Sequence, residues 1–219
     1  LAHELNQPLL ATIAFTRAAQ RLLAGDSPDR DKAGGALDRA VAEAQRAGEI
    51  VRTLREFIGT GMTDRSANSL ADMVADAAAL VTPEAARRGL RMVVAVDKSL
   101  PAVHVDRVQV QQVLLNLVRN AMDAVTDHAP PREVAVQAWP EDGAVVVEVR
   151  DTGPGIADEV AERLFQPFNT SKASGMGLGL SISRSIVEAH GGRLWLAANG
   201  PQGAAFRFTL LKCETGDHA

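Results

Sequence analysis

Two stretches near the start of the chain repeat their apolar residues in strict three- and four-residue alternation, and this pattern limits the possible folds severely. Leu5, Leu9, Thr12, Thr16, Ala19 and Leu23 form the first set. Leu37, Ala40, Ala44, Ala47, Val51, Leu54 and Ile58 form the second, beyond the breaker Gly25-Asp26-Ser27-Pro28. A period of 3.5 residues marks the seam of a coiled coil or bundle, not the single stripe of an isolated helix. Residues 1–59 therefore read as a helical hairpin. Two such helices cannot bury both seams well alone, so a second copy completing a four-helix bundle, a homodimer through residues 1–59, is the expected solution.

Composition narrows the rest. In 219 residues, 46% hydrophobic and 23% charged side chains are a globular mixture and exclude wholesale disorder. No apolar run approaches the roughly 18–20 residues of a membrane span, and no signal peptide opens the chain, so no membrane contact is expected of it. A net charge of −4 argues against a dedicated nucleic-acid binder. The lone Cys213 excludes a disulfide framework or a multi-cysteine metal site and fits a reducing, cytoplasmic compartment. His3 already lies inside a periodic segment, so further sequence is expected upstream.

Residues 61–68, with Gly61 and the polar Thr63–Asn68 run, read as a linker between a first domain at 1–60 and a second at 69–212, with 213–219 as a tail. In the second domain a helix is expected after Ser69 to about Arg88, a strand at Leu90–Val96 and a helix over 106–126. Val134–Ala138 and Ala144–Val149 suggest a hairpin around Glu141-Asp142-Gly143. Residues 152–177 look like a long loop, Leu178–His190 a helix stopped by Gly191-Gly192, and Arg193–Ala197 and Ala204–Leu211 two final strands. Helices mixed with antiparallel strands indicate an α+β two-layer sandwich.

Four clusters carry chemistry. In His3-Glu4-Leu5-Asn6-Gln7-Pro8-Leu9, His3 shares a stripe with Gln7, Arg17 and Arg21, away from the seam. A neutral imidazole is a competent nucleophile, and a neighbouring carboxylate can take its other ring proton. An exposed surface histidine is the plainer reading of His3 alone. Asn116 and Asn120 stand one turn apart on one helical face, and amide oxygens suit a hard cation such as Mg²⁺. Such a pair also caps neighbouring loops. Asp151-Thr152-Gly153-Pro154-Gly155-Ile156 follows a strand, placing a carboxylate where it can accept a hydrogen bond from an exocyclic amine, with glycines permitting close approach. Gly175-Met176-Gly177-Leu178-Gly179 opens a helix, and amides at a helix start suit di- or triphosphate, although such glycines often make only a turn.

Taken together, the order and spacing resemble the histidine protein kinases of two-component signalling. His3 to Leu9 is similar to their H box, Asn116 to Asn120 to the N box, and Asp151 to Gly155 to the G1 box. Leu164-Phe165-Gln166-Pro167-Phe168 is similar to the F box, and Gly175 to Gly179 to the G2 box. With the run Leu180–Gly192, the H box looks most like that of the FixL-type oxygen-sensor kinases. The resemblance implies a dimerisation and phosphotransfer hairpin followed by a catalytic domain of the GHKL ATPase type, using ATP and Mg²⁺ and handing the phosphoryl group to an aspartate of a response regulator. It implies His3 as phosphoacceptor with Glu4 as its base, Asn120 as the Mg²⁺ holder and Asn116 on the phosphate side. Asp151 would read adenine beside Gly153, Gly155 and Ile156. Phe165, Phe168 and residues 169–178 would form a mobile ATP lid with Lys172 as a phosphate contact, and Gly175, Gly177, Leu178 and Gly179 would bind ATP; the phenylalanines fit a core role, and the lysine a solvated one, equally well. Two positions depart from the pattern. Gln7 stands where many relatives carry Thr or Asn, which bears on phosphatase action, and Asp123-Ala124 stand where some carry Lys-Tyr. Hydrolytic GHKL ATPases place Glu where this chain has Asn116, a poor general base, which favours phosphotransfer. A degenerate dimeric scaffold is the non-enzymatic alternative, but the boxes show no decay.

Overall fold

The structure, a computed structural model, describes residues 2–24, 28–58, 64–126, 128–167, 169 and 177–213, with backbone alone at 2–5 and 49–58. The chain divides into two compact units at Gly61/Met62.

The first unit is the hairpin of α1 (Ala2–Leu23) and α2 (Arg30–Ile58). Its buried side chains are small: Ala33, Ala40 and Ala47, seven residues apart on α2, with Ala19 on α1. Pro8 is buried too and lies within α1, where the Thr12 hydroxyl donates to its carbonyl at 2.8 Å. The seam read from the sequence is therefore only half used within one chain. Ala19, Ala40 and Ala47 face the other helix, whereas Leu9, Leu23 and Leu37 are 44%, 46% and 45% exposed. Small residues at the contact bring two helices close, and the larger ones are left outside.

The second unit is a two-layer sandwich. A five-stranded sheet runs in the order β2-β4-β5-β7-β6, made of β2 (Arg91–Val96), β4 (Glu133–Glu141), β5 (Ala144–Asp151), β7 (Gly203–Leu211) and β6 (Leu194–Gly200). The long helices α3 (Leu70–Arg87), α4 (Arg107–Thr126) and α6 (Gly179–Ala189) form the other layer. Along β5, Val145, Val147 and Val149 join the core, meeting Val110, Val113, Leu114, Leu117, Val118 and Met122 of α4. The alternate residue Glu148 lies on the other side of the strand, where it accepts from Arg207 Nε at 2.7 Å and Arg150 Nε at 3.2 Å.

Local sequence sets the ends of these elements. Ser69 Oγ accepts from the Asp72 amide at 3.3 Å to start α3. At the other end, Gly89 with φ +67° stops it, the Leu90 and Gly89 amides returning to the Ala85 and Ala86 carbonyls. Gly191 and Gly192 stop α6 in the same way through the carbonyls of Glu188 and Val187. Asp106 Oδ1 caps α4 by accepting from the Val108 and Gln109 amides at 3.0 and 3.2 Å. Its own amide donates to Nε2 of the buried His190, whose Nδ1 faces the Ile186 carbonyl at 2.8 Å. His190 is thus held as the Nδ1–H tautomer and fastens the end of α6 to the start of α4.

Three expectations need correction. The sheet is mixed, not antiparallel: β2 pairs with β4 in parallel, Arg91 opposite Glu133, because α4 intervenes and a parallel neighbour needs a long crossover. The linker expected over 61–68 ends early, since β1 (Ser66–Asn68) pairs antiparallel with β3 (Val103–Val105), and Asn68 Nδ2 donates to the Val105 carbonyl at 3.0 Å. A three-residue polar strand has no alternation to betray it. Within the expected loop 152–177, Asp158–Ala161 forms a single helical turn, α5.

Candidate functional site

α4 is the element on which the nucleotide clusters meet. Asn116, half-buried on its face toward α6, donates through Nδ2 to the Ser183 hydroxyl at 2.8 Å, and Ser183 itself is buried. A Cβ placed on Gly179 would lie 2.4 Å from Asn116 Oδ1, so the amide occupies the space a side chain would need. Gly179 is a glycine for room, whereas Gly177, at φ +65°, is one for conformation. Leu178 precedes α6 as a buried residue and offers no side-chain cap. The first turn of α6, immediately after the glycine-rich stretch, is therefore uncapped by any side chain of Leu178, and its amides suit an anion.

Four residues past Asn120, α4 reaches the loop after β5. A Cβ on Gly153 would meet the Ala124 carbonyl at 3.0 Å and Asp151 Oδ1 at 2.9 Å. Asp151 is 5% exposed, and its Oδ1 accepts from the Gly153 amide at 2.8 Å and the Ala204 amide at 3.3 Å. Burial raises its carboxyl above the ordinary aspartate range, and the two amide bonds, with a weaker attraction from His128, oppose the rise. Thr152 fixes the start of the loop: its Oγ1 accepts from the Glu133 amide at 2.9 Å and donates to the Pro131 carbonyl at 2.5 Å. Gly155 has φ +78°, and Ile156 packs against the core.

The sequence-derived clusters around Asn116/Asn120, Asp151–Ile156 and Gly177–Gly179 are thus brought together on α4. Phe165 packs against the same core, and the Arg184 guanidinium lies 5.4 Å from its ring centre, a cation–π contact from α6. Phe168, Lys172 and Gly175 lie outside the described residues. His3 and Glu4 are in α1, in the backbone-only part, and Gln7 is exposed on that helix. Among the departures, Asp123 pairs with Arg88 at 2.9 Å, tying α4 to the end of α3, while Ala124 abuts the Gly153 loop. Among the described residues no three acidic, histidine or cysteine side chains gather as a metal cluster. A magnesium ion here would take an Asn amide oxygen and complete its shell with waters and phosphate oxygens, a donor set that it favours. No described helix is long and apolar enough to cross a membrane.

Ser183 and His190 escaped the residue-by-residue reading of function. For the first, the sequence signal is a serine one turn after Gly179 at helical spacing from the apolar Leu180, Ile186 and Val187.

Residues 105–214 match the family described as histidine kinase-, DNA gyrase B- and HSP90-like ATPase. The sensor protein FixL of Bradyrhizobium diazoefficiens is 48% identical over 212 residues, covering 96% of this chain and 42% of FixL. The chain thus spans less than half the length of that relative. Among solved structures, the catalytic domain of histidine kinase ThkA is 31% identical with a TM-score of 0.62, covering 68% of this chain and 96% of that one. ThkA in complex with the response regulator protein TrrA matches at 27% identity and a TM-score of 0.75, over 97% of this chain and 60% of that one.

Proposed function

The chain belongs to the sensor histidine kinases, on the histidine kinase side of that ATPase family, and from this premise we propose that it phosphorylates itself on His3 with ATP and passes the phosphoryl group to an aspartate of a response regulator. The observation that carries the reading is α4: one helix presents Asn120 while touching both the Gly153 loop and the start of α6.

In the proposed reaction the adenine amine donates to Asp151, whose amide-bonded Oδ1 keeps the carboxylate in place for it. The α6 amides after Gly177 take the phosphates. Asn120 would hold Mg²⁺, for which an amide oxygen is a suitable donor. The ion, when bound, neutralises charge on the transferring phosphates. A His3 ring nitrogen forms the new P–N bond as the bond to the β-phosphate oxygen breaks and ADP departs, while Glu4 accepts the proton of the other ring nitrogen. Such chemistry depends on positioning and electrostatics more than on covalent assistance. Phe165, with Phe168 and Lys172, belongs to the lid that follows the G1 loop. FixL's name as a sensor protein and the regulator bound to ThkA support the signalling role and the regulator as partner.

The hairpin acts as the homodimer contact. Leu9, Leu10 and Ile13 on α1 and Leu37 and Val41 on α2 are 44–65% exposed, an apolar stripe that a second hairpin would cover. Its place is the cytoplasm, where response regulators reside. Hydrolysis as the main reaction is disfavoured by Asn116, an amide committed to Ser183 where an ATPase requires a base.

The test is intact-protein mass after incubation with Mg²⁺-ATP. The wild type should gain one acid-labile phosphoryl group and His3→Gln none, with ATP binding retained. ATP turnover without phosphoprotein, the same in both proteins, would transfer the assignment to an ATPase.

A further inference from the structure

The loop after β5 is tied down at its start by Asp151 and Thr152, and its far end is held by a residue with no part in the reaction above. Asn199, at the end of β6, lays its carboxamide along the Ile156 peptide. The Ile156 amide donates to Asn199 Oδ1 at 2.8 Å, and Asn199 Nδ2 donates to the Ile156 carbonyl at 2.7 Å. The peptide offers one donor and one acceptor, so a single orientation of the side-chain amide satisfies both. Beside this pair the backbones fit closely. Gly155 stands at φ +78°, and a Cβ there would come within 2.2 Å of the Gly200 carbonyl oxygen. The start of β7 also reaches the carboxylate, through the Ala204 amide on Asp151 Oδ1. One hairpin therefore grips both the adenine-reading carboxylate and the far end of the glycine loop. Asp151 and Asn199 also share the lining of an open cleft of about 290 Å³ with Arg150 and residues 200–205 of the same hairpin.

We propose that Asn199 is a positioning residue for base recognition: by clamping Ile156 to the β6–β7 hairpin, it fixes where Gly153–Ile156 stand relative to Asp151, and so sets the preference for adenine. This rests on the nucleotide-site reading above. The clamp needs an amide, since an aspartate at 199 accepts from the Ile156 amide but turns an oxygen toward its carbonyl, and an alanine offers neither bond.

The experiment uses the full chain as wild type, Asn199→Ala and Asn199→Asp. It measures hydrogen exchange at the Ile156 amide, ATP and GTP affinity, autophosphorylation at saturating ATP, and the thermal midpoint. Asn199→Ala should speed Ile156 exchange about tenfold and weaken ATP about five- to tenfold, as expected for two lost hydrogen bonds that pre-organise a loop. GTP affinity and the saturated rate should hold, so that KM rises while kcat does not, and Asn199→Asp should weaken ATP at least as much as Asn199→Ala. Unchanged Ile156 exchange would overturn the clamp. Faster exchange with unaltered ATP affinity would overturn its role in recognition. Equal losses for ATP and GTP, with a lowered thermal midpoint, would reduce Asn199 to a structural tie. A wild type that binds neither nucleotide would overturn the nucleotide site itself, a result distinguishable at once because it appears before any substitution.

Discussion

The two units of this chain solve the burial problem in opposite ways. The unit from Met62 onward closes its own core: Phe208, Leu70, Met73, Leu114, Leu117 and Met122 are all under 2% exposed, and strands and helices cover them from both sides. Among its described side chains, the hairpin closes its contact with alanines and leaves Leu9, Leu10, Leu23, Leu37, Ile13 and Val41 outside. Buried alanine contributes little area, at about 25 cal/mol per Å² of apolar surface removed from water, so the hairpin gains little from its own contact. The contrast teaches that the second unit completes its own core, whereas the hairpin leaves apolar surface that the proposed dimer would cover.

The sharpest way to break this contrast is to damage each unit separately. Leu117→Ala in the fully buried part of α4 should cost about 2–5 kcal/mol and lower the thermal midpoint of the catalytic unit. Calorimetry on the full chain would show that transition shift alone. The double substitution Leu9→Ala with Ile13→Ala should leave the catalytic transition in place and move the chain from dimer to monomer in sedimentation velocity. A coupled loss of both would mean that the units do not fold independently.

Smaller effects separate space from charge within the site. Gly179→Ala puts a methyl where Asn116 Oδ1 stands, and should reduce ATP affinity about tenfold in titration calorimetry by displacing that amide, with a fall of only about 1 kcal/mol in stability. Asp151→Asn has the smallest expected effect on the fold and the most informative sign. Burial holds the Asp151 carboxyl above its ordinary value, so ionising it costs the folded state, and that cost grows as pH rises through its titration. The midpoint of Asp151→Asn minus that of the wild type should therefore increase between about pH 3 and pH 6, while ATP binding falls. A difference that decreases over that range would mean the two amide bonds outweigh burial.

Much of the catalytic unit is legible in the sequence because its signals are local. The spacing of Val110, Val113, Leu114, Leu117 and Val118 declares α4. Asp142-Gly143 declares the β4–β5 turn, with Gly143 at φ +71°. Likewise Asp151 and the glycines around it could be singled out, because a carboxylate at a strand end followed by glycines has few other uses. The parallel seat of β2, the β1–β3 pair and the Asn199–Ile156 clamp are not legible, since each joins residues far apart in the chain with no pattern linking them.

The hairpin shows the same division. A 3.5-residue period identifies two bundle helices, but which half of each seam faces the other helix is a matter of side-chain size at the contact, and the alanines prevail there because they let the backbones approach. By itself, then, the sequence determined the helices and the hairpin turns, because periodicity, capping and turn chemistry act within a few residues, and it singled out the residues to which the proposed reaction is assigned. Only the tertiary structure decided that Asn116 is held by Ser183, that Asp151 is buried with its Oδ1 on two amides, and that the glycine loop is gripped from β6, because those depend on which distant surfaces close on one another.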